Sequence, residues 1–149
     1  MKKIYFAMMF SKTFAYALKS LTYISKQSTV SNKLSVEEIA HAVHIPQHYL
    51  GKILQDLVRK GFLHSVKGPG GGFWTNTENR NRVAYDVLIA IDGDDVLSSC
   101  LMGNKECSHA HPCPLHEVYL NCRSKLFESL KNTSLKELAG KVDSGEGFI

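Results

Sequence analysis

Apolar positions in the first part of the chain recur three and four residues apart, which is the spacing of amphipathic helices. Residues 11–27 predict a first helix on this pattern. A second helix is predicted from the capping box of Ser35 and Glu38 to about Val43, because each of the two side chains can bond the other residue's backbone N–H. His44-Ile45-Pro46 then predicts a turn, since proline suits the first turn of a following helix.

A third helix is predicted to end at Gly61, because glycine suits the left-handed position just after a helix. One face of this helix is an apolar stripe, and the opposite face is polar and basic, with Gln47, His48, Lys52, Gln55 and Arg59. Helices joined by a tight turn, the last with a basic outer face, predict a helix-turn-helix.

A glycine-rich turn follows the third helix. Gly68-Pro69-Gly70-Gly71-Gly72 lies between two short β-prone runs, residues 62–66 and 73–75. The glycines favour positive φ angles and carry no side chains that would keep a partner away. A tight hairpin beside a helix-turn-helix predicts the wing of a winged-helix DNA-binding domain, and a plain hairpin turn is the alternative interpretation.

Polar segments separate the elements that follow the hairpin. Residues 75–81 predict a polar loop, and residues 82–91 predict a fourth helix that stops at Asp92-Gly93. A loop that contains cysteines spans about 98–114. The predicted fold class is therefore mainly α with a small β-wing, and residues 11–80 are predicted to form the winged helix-turn-helix domain.

The second predicted unit, residues 81–142, holds the cysteine loop and a long helix over 115–131. A last short helix begins at a second capping box, and residues 143–149 are predicted to be a flexible tail. The long helix has more apolar surface than a small domain needs for itself, at Val118, Leu120, Cys122, Leu126, Phe127 and Leu130. Cys122 is interpreted as a core residue of this helix.

Composition and charge narrow the function classes. The chain of 149 residues has a net charge of +4, which permits a nucleic-acid partner. No apolar run is long enough to span a bilayer. The first ten residues begin like a signal peptide, but no small-residue cleavage site follows, so we expect a cytoplasmic protein. No catalytic triad, phosphate loop or nucleotide fingerprint is present, which predicts that the protein is not an enzyme.

The cysteines lie close together in the sequence. Cys100-x6-Cys107-x5-Cys113-x2-His116 places three thiols and an imidazole in one short segment, and such clustering points to metal binding or redox chemistry. Zinc accepts a Cys3His set directly, and an iron–sulfur cluster accepts three cysteines with a histidine or carboxylate from elsewhere. Three free thiols with His116 simply on the first turn of the long helix are the alternative. His109 and His111, inside the loop, are spare candidate ligands and are expected to be solvated.

The candidate DNA-binding residues lie on the third helix and the wing. Side chains of the helix can reach base edges or phosphates in a major groove, and the wing can bring backbone amides and one lysine to phosphate. A solvated helix face is the alternative. The candidates are Gln47, His48, Lys52, Arg59, Lys67, Gly68, Gly70, Gly71 and Gly72. Trp74 is expected to pack on the domain.

These motifs, in this order, resemble the Rrf-two family of bacterial transcription regulators, and the resemblance covers about residues 11–138. The motifs that carry it are Tyr16-Ala17-Leu18-Lys19-Ser20-Leu21, Leu34-Ser35-Val36-Glu37-Glu38-Ile39-Ala40, Tyr49-Leu50, Gly61-Phe62-Leu63, the segment from Ser65 to Phe73, and Cys113-Pro114-Leu115-His116. The wing motif is specific to the family, and the cysteine motif is specific to its cluster-binding branch.

The resemblance implies a winged helix-turn-helix followed by a long dimerisation helix, and a homodimer that binds a palindromic operator in double-stranded DNA. It further implies that Cys100, Cys107, Cys113 and His116 hold a [2Fe–2S] or [4Fe–4S] cluster. The sequence departs from the family in its first cysteine gap, which is one residue longer than usual. It also has Ala15 where some members supply an acidic ligand, which gives His116 more weight.

The function expected from residues and resemblance together is a repressor that senses redox, nitric oxide or iron–sulfur status. Reorganisation of the loop at 98–114 is expected to shift the fourth helix and the dimerisation helix, and so the spacing of the two recognition helices. Two alternatives stay open. One is the same fold without a cluster, responsive to thiol oxidation, zinc, a small molecule or a partner protein. The other is a metal-binding interaction module that no longer binds DNA.

Overall fold

A computed structural model describes residues 9–104 and 107–149. The leader-like start of the chain, at residues 1–8, lies outside the described residues, as do Lys105 and Glu106 of the cysteine loop. The elements in chain order are α1 (Lys12–Gln27), α2 (Val36–Val43), α3 (Gln47–Arg59), β1 (His64–Val66), β2 (Gly72–Trp74), α4 (Thr77–Asn81), α5 (Ala84–Asp92), a 3-10 turn (Asp94–Leu97), α6 (His116–Lys131) and α7 (Leu135–Asp143). The predicted fold class is confirmed.

The helix starts follow from local hydrogen bonding. Ser35 and Glu38 form the predicted capping box at the start of α2. The hydroxyl of Ser11 caps α1 by accepting from the backbone N–H of Phe14 at 2.9 Å. The carboxylate of Asp92, at the end of α5, accepts from the backbone N–H of Ser11 at 2.8 Å and also bonds its hydroxyl. α1 has no acidic residue in its own first turn, so Asp92 supplies the negative charge that stabilises a helix N-terminus.

The helix-turn-helix is fixed by one compact turn. His44 closes α2 with φ 56°, a left-handed conformation that few non-glycine residues adopt. Its neighbour Ile45 is buried, and the backbone N–H of Ile45 donates to the carbonyl of Ala40 at 3.1 Å. The carbonyl of Pro46 then accepts from the first turn of α3. This turn sets the direction in which α3 leaves α2.

One hydrophobic core runs through both predicted units. α1 packs against α2, α3, α5 and α7, so it lies at the centre of the described chain. The core combines side chains of the helix-turn-helix with side chains of α5 and α7, including Leu21, Ile39, Leu54, Phe62, Leu88 and Leu135. Burial of apolar side chains such as these is the dominant favourable contribution to folding. The division at residue 80 stays a prediction.

The wing is tied to the chain that precedes α2. β1 and β2 pair antiparallel, with His64 opposite Trp74 and Val66 opposite Gly72. Leu34 extends this small sheet, because its backbone N–H donates to the Phe73 carbonyl at 2.9 Å and its carbonyl accepts from the Phe73 N–H at 2.8 Å. The wing is therefore held on its inner edge by two hydrogen bonds from the start of the helix-turn-helix.

Two interpretations of the sequence are wrong. Residues 75–81 are not simply a polar loop, because Asn76 and Asn79 form a capping box that starts the short helix α4. Cys122 is not a core residue of the chain, because its side chain is exposed. The face of α6 that is buried against the rest of the chain carries His116, Tyr119 and Arg123 instead.

Candidate functional site

The outer face of α3 carries the predicted base-reading residues. Gln47, His48 and Lys52 are all exposed. They line a groove of about 900 Å³ whose middle is Gly51, where a Cβ would meet no atom within 4 Å. An exposed polar face with a notch at its centre can approach the edges of bases closely.

Arg59 lies at the far end of the same groove. Its guanidinium bonds the carboxylate of Asp56 at 3.2 Å, yet its side chain stays 73% exposed. Lys60 is the stronger partner of that carboxylate, at 2.7 Å, and its hydrogen bond is the main reason that the pKa of Asp56 is lowered. The pair with Arg59 is a surface ion pair, so the arginine is available to phosphate.

The wing presents Lys67, Gly68 and Gly70 at its exposed tip. Gly68 and Gly70 have the positive φ angles that the sequence predicts, 89° and 72°. Gly71 has another role, because its N–H donates to the Gly68 carbonyl at 2.9 Å and thereby closes the turn. Gly72 is half-buried, and a Cβ there would lie 2.6 Å from the carbonyl oxygen of Leu34.

Sequence reasoning missed a polar cluster beside α3. The Thr13 hydroxyl of α1 lies 3.2 Å from the hydroxyl of Tyr49, and the Tyr49 ring packs edge-on against Tyr16 at 5.8 Å. The Lys12 ammonium lies 5.3 Å from the centre of the Tyr16 ring. The first turn of α1 therefore joins the surface formed by the start of α3. Lys12, a basic residue directly after the N-cap of α1, was the sequence signal that could have indicated this cluster.

Trp74 packs on the domain as expected, although it is only half-buried. Its ring stacks on His64 with ring centres 4.5 Å apart, and the His64 ring contacts the Asn76 side chain at 3.2 Å. The stack braces the base of the wing against the start of α4.

The predicted metal ligands form two pairs. The Cys107 sulfur lies 3.3 Å from Nδ1 of His116, and His116 is only 3% exposed. Cys100 is buried, and hydrogen bonding lowers the pKa of its thiol: the backbone N–H of Asn104 is the main cause, and the Cys113 side chain is a smaller one. A lowered pKa favours the thiolate, which is the form that binds metal and reacts with oxidants.

The four predicted ligands do not converge on one point in the described part of the loop. In the described part of the chain, the donor atoms that lie within 4.8 Å of one another belong to a different set of three residues: His109, His116 and Glu117. His109 and His111 are exposed as expected, but Nδ1 of His109 also lies 3.1 Å from Nε2 of His116. Sequence reasoning kept His109 as a spare candidate ligand and missed Glu117.

Arg123 links the loop to α6 and was also missed. Its guanidinium donates to the carbonyl of Ser99 at 2.9 Å and lies 5.1 Å from the centre of the Tyr119 ring. The arginine is 8% exposed, so it holds the backbone next to Cys100 from inside the protein. The pattern of apolar positions in the sequence cannot indicate a buried arginine that bonds a backbone carbonyl.

The helix-turn-helix, the glycine-rich wing and the basic exposed face of α3 define the class of winged-helix DNA-binding regulators. The chain belongs to the family Rrf2, "Iron-dependent Transcriptional regulator", which it matches over residues 10–141. The family resemblance inferred from the sequence is thereby confirmed. Among the described residues, no helix has the length and apolar character required to cross a membrane.

Relatives agree with this assignment. The chain is 32% identical over 133 residues to a protein of Aquifex aeolicus that is named as an HTH-type transcriptional regulator. The match covers 88% of this chain and 91% of that protein. The HTH-type transcriptional regulator IscR of Pectobacterium atrosepticum is 24% identical over 128 residues, 86% and 77% of the two chains.

Solved structures share the fold. The structure of CymR, the global cysteine regulator of B. subtilis, matches with a TM-score of 0.70 at 23% identity, over 87% of this chain and 95% of that one. IscR of T. potens has a TM-score of 0.70 at 16% identity, over 96% of this chain and 94% of that one. The chain is thus a transcriptional regulator of the helix-turn-helix class.

Proposed function

We propose that the protein is a cytoplasmic, homodimeric repressor that binds a palindromic operator and senses redox, nitric oxide or iron–sulfur status through its cysteine loop. The observation that carries the sensing part is the contact between the Cys107 sulfur and the buried imidazole of His116 at 3.3 Å. A thiol beside a fixed imidazole is the start of a mixed sulfur and nitrogen ligand set.

The DNA contacts that we propose divide by type. Gln47, His48 and Lys52 read base edges, and Arg59 contacts phosphate at the end of the groove, because all four side chains are exposed on one face of α3. Lys67 and the wing backbone at Gly68, Gly70, Gly71 and Gly72 form the second contact region.

The donor chemistry of the loop fits an iron–sulfur cluster. Cys100, Cys107, Cys113 and His116 would hold it as three thiolates and one imidazole. Hydrogen bonds already favour the thiolate of Cys100, and burial fixes the His116 ring. When bound, the group supplies an iron centre that oxidants and nitric oxide can alter.

The chain's own contacts provide a route from the loop to the dimerisation helix. Arg123 of α6 holds the Ser99 carbonyl, and the backbone N–H of Cys107 donates to the Ser98 carbonyl at 2.9 Å. A change in the loop backbone therefore acts on α6 through a buried charged group. Because α6 is the proposed dimer contact, its movement changes the distance between the two recognition helices.

The homodimer is proposed from the surface that α6 leaves uncovered. Val118 is 65% exposed, and Cys122 lies one turn further along the same helix face, also exposed. A second copy that packs on this face would bury apolar area and place two copies of α3 on one operator.

The cluster is tested by an absorption spectrum with iron and sulfide analysis on protein purified without oxygen. We expect visible absorption bands that are lost in Cys107→Ala and kept in Cys122→Ala, the matched control outside the loop. A protein without iron or sulfide after cluster reconstitution would contradict this part of the proposal.

DNA binding is tested by the salt dependence of affinity for duplex DNA. Each substitution removes two lysines from the proposed dimer, one per subunit, so loss of a phosphate-contacting lysine is expected to reduce the slope of log K against log salt by about 2. We therefore expect a shallower slope for Lys67→Ala and an unchanged slope for Lys136→Ala, a control on exposed α7 surface. Equal slopes for both variants and the wild type would place the wing outside the interface.

A thiol switch without a cluster is the second candidate, and the lowered pKa of the Cys100 thiol, to which the Cys113 side chain contributes, favours it. In this case the two thiols form a disulfide and give two electrons and two protons to a peroxide, which is reduced to water. Peptide mapping after peroxide treatment would then find Cys100 linked to Cys113, together with a changed DNA affinity that thiol reductant restores.

A further inference from the structure

The loop contains a second group of donor atoms next to the thiols. Nδ1 of His109 lies 3.1 Å from Nε2 of His116 and 3.8 Å from a carboxylate oxygen of Glu117. All three donors lie within 4.8 Å of one another. Two imidazoles and a carboxylate form the donor set of many zinc sites.

The spacing of the donor atoms suits one metal ion. Two nitrogens that bind zinc at about 2.0–2.1 Å in a tetrahedral site lie about 3.3 Å apart. The separation of 3.1 Å between the His109 and His116 nitrogens is close to that distance. The Glu117 oxygen needs only a small side-chain adjustment, because Glu117 is exposed and free to rotate.

His116 presents its two ring nitrogens to two different partners. Nδ1 faces the Cys107 sulfur at 3.3 Å, whereas Nε2 faces His109. With the proton assigned to Nδ1, the ring donates to sulfur and directs the lone pair of Nε2 toward His109 and Glu117. Zinc-binding histidines are commonly oriented in this way by a hydrogen bond from their second nitrogen.

We propose that His109, His116 and Glu117 form a mononuclear site for a divalent cation of the zinc type, with Cys107 as the positioning residue for His116. The site does not depend on an iron–sulfur cluster. It uses the same buried imidazole, so zinc at this site and a cluster ligated by His116 exclude each other. Zinc availability would then limit cluster loading.

The site is tested on reduced, metal-free full-length protein by competition with a chromophoric zinc chelator. His109→Ala and Glu117→Gln are expected to weaken Zn²⁺ binding by about 100-fold or more, since even groups that only support a ligand contribute about 10- to 100-fold. His111→Ala is the matched control, because it removes another exposed imidazole of the same loop. All three residues are exposed, so the variants are expected to fold.

Co²⁺ supplies a spectroscopic reading of the same site. We expect the visible bands of four- or five-coordinate Co²⁺ in wild type and in His111→Ala, and their loss in His109→Ala. Weak or absent Zn²⁺ binding by the wild type would overturn the site. Unchanged Zn²⁺ binding in both His109→Ala and Glu117→Gln would also overturn the site. Loss of Zn²⁺ binding only in Cys100→Ser and Cys113→Ser would overturn it too, because it would assign zinc to the thiols.

The cysteine variants separate this inference from the cluster proposal. Cys100→Ser is expected to lose the cluster and to keep tight Zn²⁺ binding. Zinc binding without any cluster would therefore support this site and contradict the cluster, whereas a cluster without the histidine-dependent zinc site would do the reverse.

Discussion

Replacing Gly72 by alanine is expected to release the wing from the helix-turn-helix, whereas the same replacement at Gly70 is expected to have a small effect. Both glycines have positive φ angles, 145° at Gly72 and 72° at Gly70. They differ in their surroundings. A Cβ at Gly70 meets nothing within 4 Å, but a Cβ at Gly72 would lie 2.6 Å from the Leu34 carbonyl oxygen.

The magnitudes follow from these contacts. For Gly70→Ala, the left-handed conformation costs about 1–2 kcal/mol. The lower entropy of the unfolded chain returns about 0.4–1 kcal/mol, so the net loss is about 1 kcal/mol. For Gly72→Ala, relief of the clash breaks the two hydrogen bonds between Leu34 and Phe73, at about 1 kcal/mol each. Backbone strain adds about 1–3 kcal/mol, and the lower entropy of the unfolded chain again returns about 0.4–1 kcal/mol, so the net loss is about 2–4.5 kcal/mol.

Urea unfolding followed by circular dichroism measures the free energy of unfolding for both variants. Trp74 is the single tryptophan of the chain and lies at the base of the wing, so its fluorescence reports wing detachment separately. Gly51→Ala is the control for the substitution itself, because Gly51 is helical and a Cβ there is unobstructed. Equal losses for Gly70→Ala and Gly72→Ala would refute the reasoning from close approach.

Three further outcomes are expected. Hydrogen bonds from the backbone and side chain of the N-cap serine lower the pKa of Glu38 below its ordinary value of 4.5, so this carboxylate stabilises the fold above that pH and loses its contribution as pH falls. The difference in unfolding free energy between wild type and Glu38→Gln should therefore shrink from pH 7 to pH 3, and a constant difference over this range would contradict the prediction. In reduced metal-free protein, the alkylation rate of Cys100 should reach its midpoint below pH 9.0, the ordinary pKa of a cysteine thiol, as mass spectrometry of the labelled peptide can measure. Val118→Glu should convert the proposed dimer to monomer in light scattering while helix content stays the same, and an unchanged mass would contradict the α6 interface.

The parts of the fold that the sequence predicts well are those set by local rules. The capping box of Ser35 and Glu38 and the positive φ of Gly68 and Gly70 depend on a few neighbouring residues, and the structure confirms them. The short helix α4 was missed although its signal was present, since Asn76 and Asn79 cap it with amides rather than with a serine and a glutamate.

The parts that could not be predicted depend on contacts between distant segments. The apolar pattern of α6 favoured Cys122 as a core residue, but the helix buries His116, Tyr119 and Arg123 because the loop and the end of α5 supply partners for them. Likewise, spacing alone grouped Cys100, Cys107 and Cys113 with His116. The pairing of Cys107 with one nitrogen of His116, and of His109 with the other, depends on the direction in which a buried ring points.

The hydrogen bonds between Asp92 and Ser11 join the end of α5 to the start of α1. Two residues beyond Ser11, Thr13 contacts Tyr49 at the start of α3. Only two residues, a rise of about 3 Å along the helix, thus separate a contact with the segment that leads into the cysteine loop from a contact with the recognition helix. A tilt at the first turn of α1 would therefore move both contacts together, which would link the proposed sensing loop to the DNA-facing surface within one subunit.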